Sequence, residues 1–211
     1  LRFLNASSSG WTANGGSYST ITKFSYLGRL NYSFADKYLL MASIRRDGSS
    51  KFPVSNRWAT FPSISVGWKI SEEAFFNELA WLDILKLRAA WGQIGNDGIP
   101  YWAQYSTISD YHYVLGSNQT VLLGKGPYQV GNNKLKWETV EDINMGLDFE
   151  LNNGKFSGSF DLFRRNTRDM LMQKSLLGYM GAGFGRQWAN VGSMEAEGWE
   201  FDISHKNASG K

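Results

Sequence analysis

The chain's 211 residues include no cysteine, so disulfide frameworks, thiolate metal centres and cysteine nucleophiles are excluded. Histidine is almost as scarce. His112 and His205 are the only two, too few for a multi-histidine metal site or a Ser-His-Asp arrangement. No apolar run approaches the ~18 to 20 residues of a transmembrane helix. Lys and Arg (22) exceed Asp and Glu (19) by only three, a balance too small and too dispersed to point to nucleic acid. Charged residues are 19% of the chain, below the roughly 25% usual for soluble domains, and prolines number four.

Against these shortages stand 9 Trp, 10 Tyr, 13 Phe and 23 Gly, a mixture suited to many strands and turns. A hydrophobic share of 42% is enough to rule out a disordered tail. The opening LRFLNASSSG has no initiator Met, basic segment or apolar signal core, and the closing HKNASGK is turn-like. Residues 1–211 are therefore expected to be a partial domain of a longer polypeptide.

Period-2 alternation dominates the chain. Phe24, Tyr26, Gly28, Leu30 and Tyr32 share a face, and so do Tyr38, Leu40, Ala42 and Ile44. Pro62, Ile64, Val66, Trp68 and Ile70 repeat the pattern, followed by Leu85, Leu87, Ala89 and Trp91. In the second half Ile143 to Leu151, Phe156 to Leu162 and Trp199 to Ile203 do the same. This makes about seven strands. Ser71 to Phe76 reads as one helical turn capped by Ser71. Asn153-Gly154 suits a type I′ hairpin turn.

Between Gly95 and Lys134 the alternation fails, and 95–134 is expected to be a long loop carrying many tyrosines. Loops of roughly 40 residues are uncommon in compact domains and usually functional when ordered. Connections at 35–37, 71–77 and 152–154 read as short turns, whereas the chain near Ser49, the segment 95–134 and the Gly-rich 178–185 read as longer connections.

Alternation alone does not say whether an apolar face meets a soluble core or lipid. A soluble carbohydrate-binding β-sandwich and a membrane barrel, including a passive porin, both fit the period. Three features favour lipid. The strands are long enough for the ~9 to 11 residues of a tilted bilayer crossing. The polar faces carry Gly, Ser, Asp, Arg and Lys in series. Aromatics such as Tyr38, Trp58, Phe61, Trp68 and Trp91 sit near strand ends, as interfacial girdles do. Bacterial barrels close with even strand numbers, so seven strands would be an arc of a larger barrel.

Longer words in the sequence add to this pattern. FSYLGRLNYSFADKYLLMASIRRDGSSKF is followed by NRWATFPSISVGWKISEEAFF, then LDILKLRAAWGQIGND. After the long loop come NNKLKWETVEDINMGLDFELNNGKFSGSFDLFRRNTRDMLM and ANVGSMEAEGWEFDIS. In this order and spacing the chain resembles the C-terminal half of the barrel in the SusC/RagA family of TonB-dependent outer-membrane transporters. The resemblance implies an antiparallel transmembrane β-barrel fragment from a barrel of ~22 strands, a size at which the lumen is plugged. It also implies import of glycans, peptides or other nutrients across the outer membrane of Bacteroidota-type bacteria. The implied partners are a SusD-like surface lipoprotein and TonB–ExbB–ExbD, which act through an N-terminal plug absent from this stretch. Short turns would then be periplasmic and long loops extracellular.

Tyr101, Trp102, Tyr105, Tyr111 and Tyr113 would hang over the entrance. They are the substrate-contact candidates, because flat rings with polar tips suit sugars and peptides. The plainer alternative is that they pack the loop on itself or against a lid. Asp142, Asp148, Glu150, Asp161, Glu200 and Asp202 recur at i+2, together with Lys69, Lys86, Arg88, Arg164 and Arg165. They read as a wet lumen wall rather than as catalytic carboxylates. Asp97 with Asp110 falls short of a calcium site. GAGFGR, 181–186, lacks the strand-to-helix context of a phosphate loop. No cofactor, metal or enzyme activity is expected.

Overall fold

The computed structural model describes residues 19–76, 81–117, 120–177 and 185–207. The alternating segments form β1 (Lys23–Phe34), β2 (Tyr38–Ser49), β3 (Trp58–Lys69), β4 (Leu82–Asn96), β5 (Thr107–Leu115) and β6 (Thr120–Gln129). They continue with β7 (Glu138–Leu151), β8 (Phe156–Arg168), β9 (Leu171–Ser175), β10 (Arg186–Asn190) and β11 (Ser193–His205). Seven of these make one sheet in the order β1-β2-β3-β4-β7-β8-β11, antiparallel throughout. They are the seven segments whose alternation marks them in the sequence.

Because directly paired residues point to the same side, register fixes which residues share a face. One continuous row is Tyr38–Trp68–Leu87–Leu147–Phe160–Phe201. Its neighbour on the opposite side is Ser33–Leu39–Gly67–Arg88–Gly146–Asp161–Glu200. The sheet is thus apolar on one side and mainly polar on the other across its whole width. No second layer covers the apolar side among the described residues. Leu30, Val66, Met145, Leu162 and Trp199 all remain exposed on it. A two-layer sandwich, the soluble architecture the alternation allows, is not what these strands build.

Three connections depart from the expected pattern. The segment 95–134 is not loop throughout, because β5 and β6 pair as a separate hairpin, and between β8 and β11 the strands β9 and β10 form a second one. Alternation misses β5–β6 because Val114-Leu115 and Val121-Leu122-Leu123 put apolar residues on both faces. The turn after β3 is two successive 3-10 turns, Ile70–Glu72 and Ala74–Phe76, with Ser71 inside the first instead of capping a helix. The Gly-rich stretch 178–184 and Asn77 lie outside the described residues.

The buried core is small and sits at one rim. Phe52, Phe61, Ile99, Ala103, Leu135 and Trp137 pack together there, with Ala59, Leu171 and Trp188 against them. Pairing of β3 with β4 stops at Ser63–Gly92, while β2–β3 and β4–β7 pair on toward the long connections. Phe61 lies against Gly95 near this parting, so close that a Cβ on Gly95 would stand 2.0 Å from the ring's Cζ. Trp137 donates Nε1–H to the Arg57 carbonyl at 3.0 Å, fastening the chain before β7 to the end of the β2–β3 connection.

Candidate functional site

The apolar face is bounded at both ends by side chains suited to a membrane interface. At the short-turn end Phe34, Tyr38 and Trp68 stack in succession, with centroids 6.3 and 6.4 Å apart. Glu73 gathers their polar tips: it accepts from the Tyr38 hydroxyl at 2.7 Å, Trp68 Nε1 at 3.2 Å and Lys37 Nζ at 3.3 Å. Hydrogen bonds from Tyr38 and then Trp68 hold its carboxyl below the ordinary carboxylate range. At the long-connection end Tyr26 stacks on Trp58 at 5.9 Å, and the Arg46 guanidinium lies over the same indole at 5.6 Å.

The polar boundary descends across the sheet as a staircase. Ala42, Ile64, Trp91, Ile143 and Arg164 lie in one register row. On β2 the first outward charge is Arg46, four residues beyond Ala42. On β7 it is Glu141, two beyond Ile143, which accepts from Trp91 Nε1 at 2.8 Å. On β8 it is Arg164 itself, paired with Glu195. The opposite edge shifts alike: β2 ends its band at Tyr38, in register with Phe160, whereas β8 runs four residues further to Phe156. Four residues are about 13 Å along a strand, and the four strand spacings from β2 to β8 are about 19 Å, so the band lies about 35° off the register rows. That is the strand tilt of an outer-membrane barrel. Arg164, expected on the lumen wall, is turned outward by the register and marks the edge of the band.

The other face carries a charge-balanced wall. Arg88 bridges two strands, donating Nε–H to Asp148 at 3.1 Å and Nη2–H to Asp161 at 2.7 Å. Lys86 adds a contact to Asp148 at 3.7 Å, and Arg165 pairs with Asp142 at 2.8 Å. A hollow of about 470 Å³ opens on this side over β1–β4 and β7, lined by Asn31, Ser65, Lys86, Arg88 and Asn144 among others. Asp142, Asp148 and Asp161 are thus each paired with a cation, and this part of the wall offers hydration and countercharge.

At the rim, Asp97 ties β1 to the β2–β3 connection. Its carboxylate accepts from Lys23 Nζ at 2.8 Å and Ser49 Oγ at 3.0 Å, and its carbonyl accepts from Lys51 Nζ at 2.9 Å. Burial pushes the carboxyl up, but the Lys23 and Ser49 hydrogen bonds and the lysine charges outweigh it and hold the group below its ordinary value. Asp110 pairs with Lys125 on the hairpin, so the two aspartates serve different contacts. No group of three or more potential metal ligands occurs among the described residues.

The five aromatic candidates fall into two groups. Tyr101, Trp102 and Tyr105 occupy the turn 101–105, whose Trp102 and Tyr105 carbonyls both accept from Gln129 Nε2, at 3.3 and 3.2 Å. Tyr111 and Tyr113 lie on β5, two residues apart and on one face. No ring contact joins the two groups among the described residues. Beneath the β5 pair lie Gly126 and Gly124 of β6, a feature sequence reading missed because it depends on the hairpin's register.

A family model described as TonB dependent receptor-like, beta-barrel matches residues 2–209. The chain belongs to the TonB-dependent receptor β-barrel family. Its relatives place it in the SusC/RagA group. It is 41% identical over 191 residues to the TonB-dependent receptor SusC of Bacteroides thetaiotaomicron, a match covering 88% of this chain and 18% of SusC. It is 36% identical over 208 residues to TonB-dependent receptor P26 of Formosa agariphila, covering 97% of this chain and 20% of that receptor. Among solved structures, the RagAB peptide transporter superposes with a TM-score of 0.80 at 28% identity, covering 95% of this chain and 22% of that one. The siderophore receptor PirA of Pseudomonas aeruginosa, 17% identical with a TM-score of 0.58 over 86% of this chain and 30% of its own, shares the fold. The chain thus spans about a fifth of the length of the SusC-like receptors it matches. TonB-dependent receptor barrels lie in the outer membrane, and the tilted apolar band is this chain's lipid-facing surface.

Proposed function

We propose that this chain is part of the barrel wall of an outer-membrane TonB-dependent importer of nutrients such as glycans or peptides. The observation that carries the proposal is the pairing of a tilted lipid band on one face with a mainly polar wall, ion-paired across β4, β7 and β8, on the other. A hydrated solute path needs such a wall, and a lipid boundary needs such a band. Likeness to SusC and to the RagAB peptide transporter supports energised import over a passive pore. A SusD-like surface lipoprotein would cap the barrel, and TonB–ExbB–ExbD would act through a plug domain elsewhere in the receptor.

The turns 35–37 and 152–155 are the shortest connections, so the barrel rule puts their rim, which also carries the 70–81 connection, on the periplasmic side and the opposite rim outside. Residues 95–134 then form an extracellular segment at the entrance, where Tyr101, Trp102, Tyr105, Tyr111 and Tyr113 contact substrate or a capping partner. The test is uptake of labelled oligosaccharides and peptides by cells carrying the full-length receptor, with and without a functional TonB. Accumulation that collapses without TonB is expected. Equal uptake in both strains would replace the importer with a passive pore.

A further inference from the structure

The hairpin β5–β6 has two unlike faces. Register puts Ser109, Tyr111, Tyr113 and Leu115 on one face with Gly126, Gly124, Leu122 and Thr120. The hairpin's ion pair, Asp110–Lys125, is on the other. Each tyrosine leans one step diagonally across the ladder onto a glycine. A Cβ on Gly124 would stand 2.3 Å from Tyr113 Cε2, and a Cβ on Gly126 would stand 3.0 Å from Tyr111 Cδ2 and Cε2. The Tyr113 hydroxyl reaches to 3.8 Å from that second position, and Tyr111 donates its hydroxyl to the Pro127 carbonyl at 3.2 Å. The rings are therefore laid side by side on a glycine floor. Any larger residue at 124 would lift the ring above it, so the glycines let the rings lie low against the strand. Tyr113 keeps 48% of its surface exposed although its ring is held from below.

We propose that Tyr111 and Tyr113 form a stacking platform for two successive rings of a neutral oligosaccharide. This rests on the import reading above and assigns a capture site and ligand class to the hairpin. A pyranose presents a patch of C–H bonds on its face and hydroxyls around its edge. The patch meets the negative face of an aromatic ring, while the edge stays hydrated. Ring positions two strand residues apart, about 6.6 Å, offer consecutive seats along a linear glycan. The tyrosine face carries no formal charge, so charged peptide termini or acidic sugars find no counter-ion there. A neutral sugar needs none.

The test is isothermal titration of the purified full-length receptor in detergent. The probes are a neutral α-1,4-linked glucan hexasaccharide, its β-1,4-linked counterpart, and a capped uncharged octapeptide. At least one glucan binds the wild type. Tyr111→Ala and Tyr113→Ala each raise its Kd about tenfold, the scale of one lost stacked ring, while Tyr111→Phe and Tyr113→Phe stay within about twofold. Gly124→Val weakens glucan binding with both tyrosines present, because the ring above it is forced up. Unchanged Kd in the alanine variants, failure of the wild type to bind either glucan, or losses confined to the octapeptide would each overturn the platform. If an alanine variant does not assemble, Gly124→Val decides by the same titration, and an unchanged Kd overturns the proposal. TonB-independent uptake would sink the importer reading while leaving this binding measurement intact, so the two failures are distinguishable.

Discussion

Asp97 shows how a single carboxylate ties strand ends and a connection together at the rim. Lys23 of β1, Ser49 at the end of β2 and Lys51 of the β2–β3 connection converge on it, and its side chain is only 13% exposed. Its pKa is depressed in the folded chain, so its stabilisation is complete above the unfolded value of about 3.9 and is lost as pH falls through the lower folded value. Hydrogen exchange of 97–106, corrected for the intrinsic pH dependence, should be flat from pH 8 to pH 5 and rise below about pH 4. Asp97→Asn should raise exchange at neutral pH and abolish the acid step. An acid step of the same size in Asp97→Asn would assign it to another group.

At the scale of elements, tight turns set register, and one of them carries avoidable strain. Ala35 and Asp36 adopt φ of 51° and 54°, and Lys37 N–H closes the turn on the Phe34 carbonyl at 3.1 Å. Left-handed backbone costs an alanine about 1–2 kcal/mol, partly offset in a glycine by lost chain entropy. Ala35→Gly should therefore stabilise the full-length barrel by about 0.5–1 kcal/mol in urea-dependent refolding into vesicles, whereas Ala42→Gly within β2 should destabilise it. A neutral or unfavourable Ala35→Gly would show that Ala35 makes contacts worth more than its strain. The Asn152-Asn153-Gly154 turn solves the same problem with residues that tolerate it, at φ of 57°, 57° and 74°. These turns and the seven sheet strands were legible in the sequence because one uniform environment on each side enforces strict alternation. The β5–β6 hairpin was not, since neither of its faces is uniformly apolar. The tyrosines of the candidate site could be picked out by residue type. The glycine floor under two of them and the outward turn of Arg164 required knowing which residue lies opposite which.

For the whole molecule the decisive quantity is the stagger. Charges and aromatic ends step by four residues between β2 and β8 at both edges of the band, so its width stays at eight residues, Tyr38 to Arg46 and Phe156 to Arg164. Eight residues at about 35° of tilt span roughly 22 Å, close to the ~25 Å apolar band of outer-membrane barrels. A sheet packed on a soluble core has no reason to keep both edges parallel and oblique to its register. Leu147 lies near the centre of that band on β7, with Met145 and Phe149 beside it on the same face. Leu147→Arg in the full-length receptor should cost about 2–4 kcal/mol, the penalty of a cation near the bilayer midplane, and reduce the heat-modifiable folded fraction. Val66→Arg should behave alike. Ser65→Arg, one residue away but facing the polar wall, should assemble nearly as the wild type does. Moving outward along β8, Leu162→Arg should cost less than Leu147→Arg because Arg164, the band's edge, is only two residues further. If the penalties followed register rows instead of the oblique band, with Leu162→Arg as costly as its row-mate Met145→Arg, the strands would cross the membrane untilted and the assigned edge would be wrong.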